Sequence, residues 1–138
     1  MAKKIRASGV RKSVNDYESM QKNIIGIIQV ETVNAVTEIE SIAAIDGVDV
    51  LFVGPSDLTM AFGIFNQFAN PVYQQAIKEV ADAAKKYNKA AGVLLQDISE
   101  YEMYHNLGYR FLAAGGDAAF VSRGASQLVN QMNEYRKQ

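Results

Sequence analysis

The sequence predicts an α/β fold built on four parallel strands joined by crossover helices. Four short apolar runs, "IIGIIQV" (24–30), "VDVLFVG" (48–54), "AAGVLL" (90–95) and "YRFLAAGG" (109–116), are each followed by a segment that reads as helix. Strand and helix alternating four times over implies crossover connections and a parallel sheet. Polar residues gather where the runs end, at Gln29/Glu31, Ser56/Asp57, Gln96/Asp97 and Asp117. That is the C-terminal edge, where such sheets place ligands. Two architectures fit: a small doubly wound sheet, or half of a (β/α)8 barrel.

Each element has its own signal. The run 24–30 is nearly continuous and rich in Ile, as expected of a strand buried on both faces. After it, "ETVNAVTEIESIAAI" sets Val36, Ile39, Ala43 and Ala44 on one helical face, and Gly47 ends that helix. The second run leads into "GPSDL". The aromatic segment "TMAFGIFNQFA" (59–69) lacks clean periodicity and reads as a loop that packs on itself, lines a pocket or meets a neighbouring subunit. Asn70 and Pro71 supply an N-cap and a first helical residue for a stripe of Val72, Ala76, Ile77, Val80, Ala81 and Ala84. Following the third run, Asp97 caps "ISEYEMYHNL" and Gly108 closes it. The last helix spans "AAFVSRGASQLVNQMNEYRK" (118–137), with Asp117 as its N-cap and an interruption at Gly124.

Composition narrows the function classes. With 138 residues, 49% of them hydrophobic, and a mean hydropathy of −0.08, the chain is expected to be one soluble domain, 1–138, with a real core. Fourteen basic and fifteen acidic residues give a formal charge of −1, so no polyanion partner is implied. Lys3, Lys4, Arg6, Arg11 and Lys12 read as a solvated tail and not as a nucleic-acid patch. The absence of cysteine excludes a disulfide scaffold and a thiolate zinc site. No apolar run approaches the ~18 residues of a membrane span, and "MAKKIRASGVRKSV" has no apolar segment behind its charges. A cytoplasmic protein, with neither membrane nor nucleic acid as partner, is the expectation.

The chemistry lies in the strand ends. Glu31 follows the first run and Asp57 closes the loop after the second, so adjacent parallel strands would bring both carboxylates to one rim. Such a pair suits a hard divalent cation, because Mg²⁺ commonly takes one or two protein carboxylates and leaves positions for water and substrate oxygens. Gly54 and Pro55 turn the chain sharply, which would aim the following backbone N–H groups at an anion. On spacing alone, Asp57 as a helix cap and Glu31 as a solvated strand end fit equally well.

"QVET" (29–32) followed by "GVDVLFVGPSDL" (47–58) resembles the paired signature of the HpcH/HpaI aldolase family, which includes 4-hydroxy-2-oxoheptanedioate and 2-dehydro-3-deoxyglucarate aldolases. The separation of 26 residues (57 − 31) agrees with one strand-helix-strand unit. "NPVYQQAI", "KAAGVLL" and "YRFLAAGGD" resemble the family's later segments in order and position. The resemblance implies a metal-dependent pyruvate-type aldolase on a TIM barrel of about 250 residues, of which this chain matches the C-terminal half, strands five to eight. By that match Glu31 and Asp57 would bind Mg²⁺, Mn²⁺ or Co²⁺. Gln29 would lie beside metal and pyruvate, and the backbone N–H groups of Ser56 and Asp57 would hold the pyruvate carboxylate of a 4-hydroxy-2-oxo acid undergoing retro-aldol cleavage. The citryl- and malyl-CoA lyase branch shares the barrel and the acidic pair, but "QVET" and "VGPSDL" favour the aldolase branch.

The resemblance also marks what to miss. The family's first half supplies a proton-transferring histidine and a pyruvate-gripping arginine, and neither has a match here. The only histidine, His105, falls on a helix away from the strand ends and reads as a surface or packing residue. Arg6 does not match the pyruvate-binding arginine, and Arg123 reads as structural or solvent-facing. Gly116 stands where a larger apolar residue is usual. A half barrel leaves two open edges and an uncovered inner layer. Partners expected are therefore a second copy or a complementary N-terminal half, with segment 118–135 and its Val121, Leu128, Val129 and Met132 as the leading oligomer contact. Active in such an assembly, or surviving as a catalytically inactive binding or scaffold protein, are the two readings left open.

Overall fold

A computed structural model describes residues 24–136. The basic cluster Lys3, Lys4, Arg6, Arg11 and Lys12 lies outside the described residues. The chain runs β1 (Ile27–Val30), α1 (Val33–Thr37), α2 (Ile39–Ala43), β2 (Val50–Val53), α3 (Pro55–Ala61), α4 (Pro71–Lys86), β3 (Ala90–Leu95), a 3₁₀ turn (Ile98–Glu100), α5 (Tyr101–Leu107), β4 (Tyr109–Ala114) and α6 (Asp117–Tyr135). The four strands form one parallel sheet in the order β1-β2-β3-β4, as the alternating pattern predicts. No helix among the described residues is long and apolar enough to cross a membrane.

One face of the sheet is covered by helices. Val30, Leu51, Val53, Val93 and Leu95 point into it and meet Tyr73, Ala76, Ile77, Val80 and Ala84 of α4 with Val36, Ile39 and Ala43 of α1 and α2. Asn70 caps α4 by accepting from Val72 N–H at 3.0 Å, with Pro71 at the first helical position, as predicted. A buried tyrosine trio closes the far end: Tyr73 and Tyr104 hydroxyls lie 2.7 Å apart, and Tyr109 donates to the Ile77 carbonyl at 2.9 Å. Desolvation holds all three phenols well above the usual tyrosine range, Tyr104 pushed up to about 12.

Several expectations need correction. The run 24–30 is not buried on both faces: β1 begins at Ile27 and only Val30 is buried. Gly26 leaves the ladder because its N–H donates to the Asp49 carboxylate at 2.7 Å, and a Cβ there would overlap the Gly47 carbonyl. The first helix is split at Glu38, where Thr37 Oγ1 bonds back to the Val33 carbonyl at 3.1 Å in a β-branched stretch, a combination that bends helices. That bend turns Ala44 outward, and Val72 at the first turn of α4 is likewise exposed. Gly47, at φ +87°, lies beyond the end of α2 and shapes the turn into β2. Asp97 caps the 3₁₀ turn, its carboxylate accepting from Ser99 N–H at 2.9 Å, while Gly108 at φ +101° ends α5 as expected. Gly124 does not interrupt α6, because a single helical glycine weakens a helix by about 1 kcal/mol without stopping it. Asp117 is the first residue of α6 and not its cap; Gly116 occupies that position in extended backbone that any residue could adopt.

Candidate functional site

The strand ends converge on Gly54. A Cβ built on this residue would stand 3.4 Å from Gln29 Nε2, 3.7 Å from Asp57 Oδ2 and 3.7 Å from Glu31 Cβ. Three of the residues singled out by sequence therefore share one spot at the C-terminal mouth of β1 and β2. The register explains it: Gln29 pairs with Phe52 and Val30 with Val53, so Glu31 comes level with Gly54. Because Gly54 has no side chain, the space between the amide and the two acidic residues stays open.

Local structure then fixes Ser56 and Asp57. Gly54 is the N-cap of α3 and Pro55 its first residue, so Ser56 and Asp57 sit in the first turn, where backbone N–H groups have no intrahelical acceptor. Asp57 makes no side-chain cap bond, which removes the capping role as its explanation. Thr59, which sequence reasoning passed over, anchors the turn. It is fully buried, its hydroxyl reaches the Pro55 and Ser56 carbonyls at 2.9 Å each, and it accepts from Asn66 N–H at 3.1 Å. A buried hydroxyl four residues after a proline N1 was the available signal.

The other polar strand ends are engaged locally. Gln96 N–H donates to Glu100 at 2.9 Å, and Asp97 is held below the usual carboxylate range by its hydrogen bonds from Ser99, with Arg123 adding a favourable charge. Asp117 accepts from Ala118 N–H at 2.7 Å. His105 lies in the last turn of α5, its ring stacked on Tyr101 with centroids 5.6 Å apart, so it packs on the surface as its position in the sequence suggested. Arg123 is exposed on α6. Phe62, Ile64 and Phe68 of the aromatic loop pack against the core, which favours a loop folded on itself. An apolar groove does form beside it, between Val33, Val36, Phe62, Pro71, Val72 and Ala76, but it holds none of the strand-end residues.

Glu31, Asp57 and the Gln29 amide make an oxygen-bearing donor set of the kind that hard divalent ions accept. Among the described residues no group of three or more His, Asp or Glu side chains is assembled to hold a metal, so a cation here would rest on two protein carboxylates. That number fits Mg²⁺ or Mn²⁺, which complete their shells with water and substrate oxygens.

The profile of HpcH/HpaI aldolase/citrate lyase matches residues 2–123. The chain is 40% identical over 118 residues to 5-keto-4-deoxy-D-glucarate aldolase of Enterobacter sp. (strain 638), covering 85% of this chain and 46% of that protein. It is 30% identical over 128 residues to hydroxypyruvate/pyruvate aldolase of Paraburkholderia phytofirmans, covering 93% and 49%. The chain thus spans about half the length of these curated relatives. Among solved structures, a HpcH/HpaI aldolase from Desulfitobacterium hafniense DCB-2 superposes with a TM-score of 0.78 at 30% identity, over 89% of this chain and 49% of that one. The citrate synthase SbnG superposes at 0.81 with 20% identity, over 96% and 56%, a likeness of fold alone. The open sheet is accordingly the C-terminal half of a TIM (β/α)8 barrel, and of the two architectures weighed from the sequence the doubly wound sheet falls away. The chain belongs to the HpcH/HpaI aldolase/citrate lyase family.

Proposed function

We propose that this chain carries the metal- and keto-acid-binding half of a class II pyruvate aldolase site, for retro-aldol cleavage of 4-hydroxy-2-oxo acids. The observation that carries the reading is the convergence of Gln29, Glu31 and Asp57 on the side-chain-free Gly54. Glu31 and Asp57 would hold a divalent ion, Mg²⁺, Mn²⁺ or Co²⁺. Gln29 would orient the keto acid beside it, and the unpaired N–H groups of Ser56 and Asp57 would receive its carboxylate. A cation bound there supplies Lewis acidity to an α-keto acid. The names of the two relatives, both aldolases and one acting on pyruvate, agree with that substrate class.

Turnover needs more than this half provides. The one histidine of the chain is on α5, stacked on Tyr101, and so supplies no imidazole to the strand-end site. This position favours a second reading, in which the chain on its own binds metal and keto acid without turning them over.

Calorimetric titration of the purified chain with Mn²⁺, with and without pyruvate, tests the site. Binding that pyruvate strengthens is expected, and Asp57→Ala should weaken Mn²⁺ affinity by roughly 100-fold or more while leaving the circular dichroism spectrum intact. An affinity unchanged by Asp57→Ala would remove the assignment. Retro-aldol turnover of the isolated chain should be at trace level; rates of roughly 1 s⁻¹ or more would show that a catalytic base other than His105 is at work.

A further inference from the structure

We propose that the uncovered face of the sheet, together with its two open edges, is the docking surface for a second copy of the same chain, the two copies closing an eight-stranded parallel barrel about a shared twofold axis. The inference rests on the sheet and is independent of any metal or substrate.

The uncovered face is apolar where solvent would call for polar residues. Ile27, Phe52, Leu94 and Phe111 occupy alternate positions on the side away from α4, and Ile27, Leu94 and Phe111 are 45%, 37% and 37% exposed. Phe52 and Phe111 meet edge to face at 5.9 Å across Gly92, where a Cβ would come 2.8 Å from the Phe52 ring. A glycine at this point thus serves to let two rings close into one apolar platform. Sheets with one wet face normally alternate apolar and polar residues, and this one does not.

The edges specify the occupant. Among the described residues β1 pairs only with β2, and β4 only with β3, so both outer strands present unpaired backbone groups. One added strand or helix could close one edge at most. Closing both while keeping every strand parallel requires a unit with two open edges, an apolar inner face and the same twist. This chain is such a unit. A twofold axis along the barrel sets β4 of each copy beside β1 of the other, so one contact, made twice, seals both edges and buries both platforms against each other. A formal charge of −1 per chain leaves little repulsion to oppose it.

Sedimentation of the full chain at micromolar concentration should give the mass of two 15.2 kDa chains. Phe111→Glu should shift it to the mass of one with the helical spectrum retained, whereas Val129→Glu on α6 should leave the pair intact. In the unmutated chain, hydrogen exchange at 27–30 and 109–114 should slow together as concentration rises, a readout that stands even if Phe111→Glu fails to fold. A single-chain mass at high concentration, edge exchange that ignores concentration, or an open ladder of larger species would overturn the proposal. So would a pair that survives Phe111→Glu and dissolves on Val129→Glu, or one that forms only after a separate four-stranded partner is added.

Discussion

Thr59 has no exposed surface, yet its hydroxyl serves three backbone groups, the Pro55 and Ser56 carbonyls and the Asn66 N–H. It therefore ties the turn bearing Ser56 and Asp57 to the loop that follows α3. Thr59→Val keeps the shape and removes both the donor and the acceptor, leaving a buried N–H unpaired. A loss of about 1–3 kcal/mol in urea unfolding is expected, together with weaker Mn²⁺ binding. A stability loss without any change in affinity would show that the turn holds its geometry without Thr59. The tyrosine trio gives a pH prediction. Burial raises the phenol pKa of Tyr73, Tyr104 and Tyr109 in the folded state, so the unfolded chain gives up those protons first. Their contribution is fully present below the unfolded value of about 10 and is lost as pH rises above it. Stability should fall steeply above about pH 10, and the tyrosinate absorbance of these residues should rise only with unfolding. Tyrosinate that forms while the circular dichroism stays native would contradict their burial.

Elements differ in what holds them. α4 places seven residues in the core and carries an Asn70 cap, while α6 has no buried residue along its whole length. Propensity consequently matters more in α6, and Gly124→Ala, in open space, should stabilise it by up to about 1 kcal/mol, read as slower hydrogen exchange in residues 117–135. No change would mean that contacts outside this chain already hold the helix. The same contrast explains what was legible in the sequence. β3 at 90–95, the Asn70-Pro71 start and the Gly108 stop rest on local signals and appear where expected. Exposure of β1 was not legible, because an Ile-rich run reads alike whether a neighbour covers it or not. The break at Glu38 and the seat of Gly26 against Gly47 arise from a back-bonded threonine and a contact across 21 residues (47 − 26), which periodicity does not register. At the site, Gln29, Glu31 and Asp57 were readable from motif and spacing. Thr59 was not, since its role depends on a loop that has no pattern of its own.

At the scale of the whole molecule, the sheet has one satisfied face and one unsatisfied face, and stability should report which partner covers the second. Folding coupled to pairing obeys mass action, so a chain that unfolds from a pair to two free chains melts at a temperature that rises with its own concentration. A tenfold increase should raise the midpoint by about 2–4 °C. Phe111→Glu, which places a charge on the platform beside Phe52, should lower the midpoint and also flatten its dependence on concentration. The two effects separate the explanations. A lowered but still concentration-dependent midpoint would mean that pairing uses another surface, with the exposed Val121, Leu128, Val129 and Met132 of α6 as the remaining apolar stripe. A midpoint independent of concentration in the unmutated chain would mean that four strands hold together with their inner layer in water, supported by the α4 side alone. Only the pairing of β1 with β4 accounts for a dependence that disappears with one ring on the uncovered face.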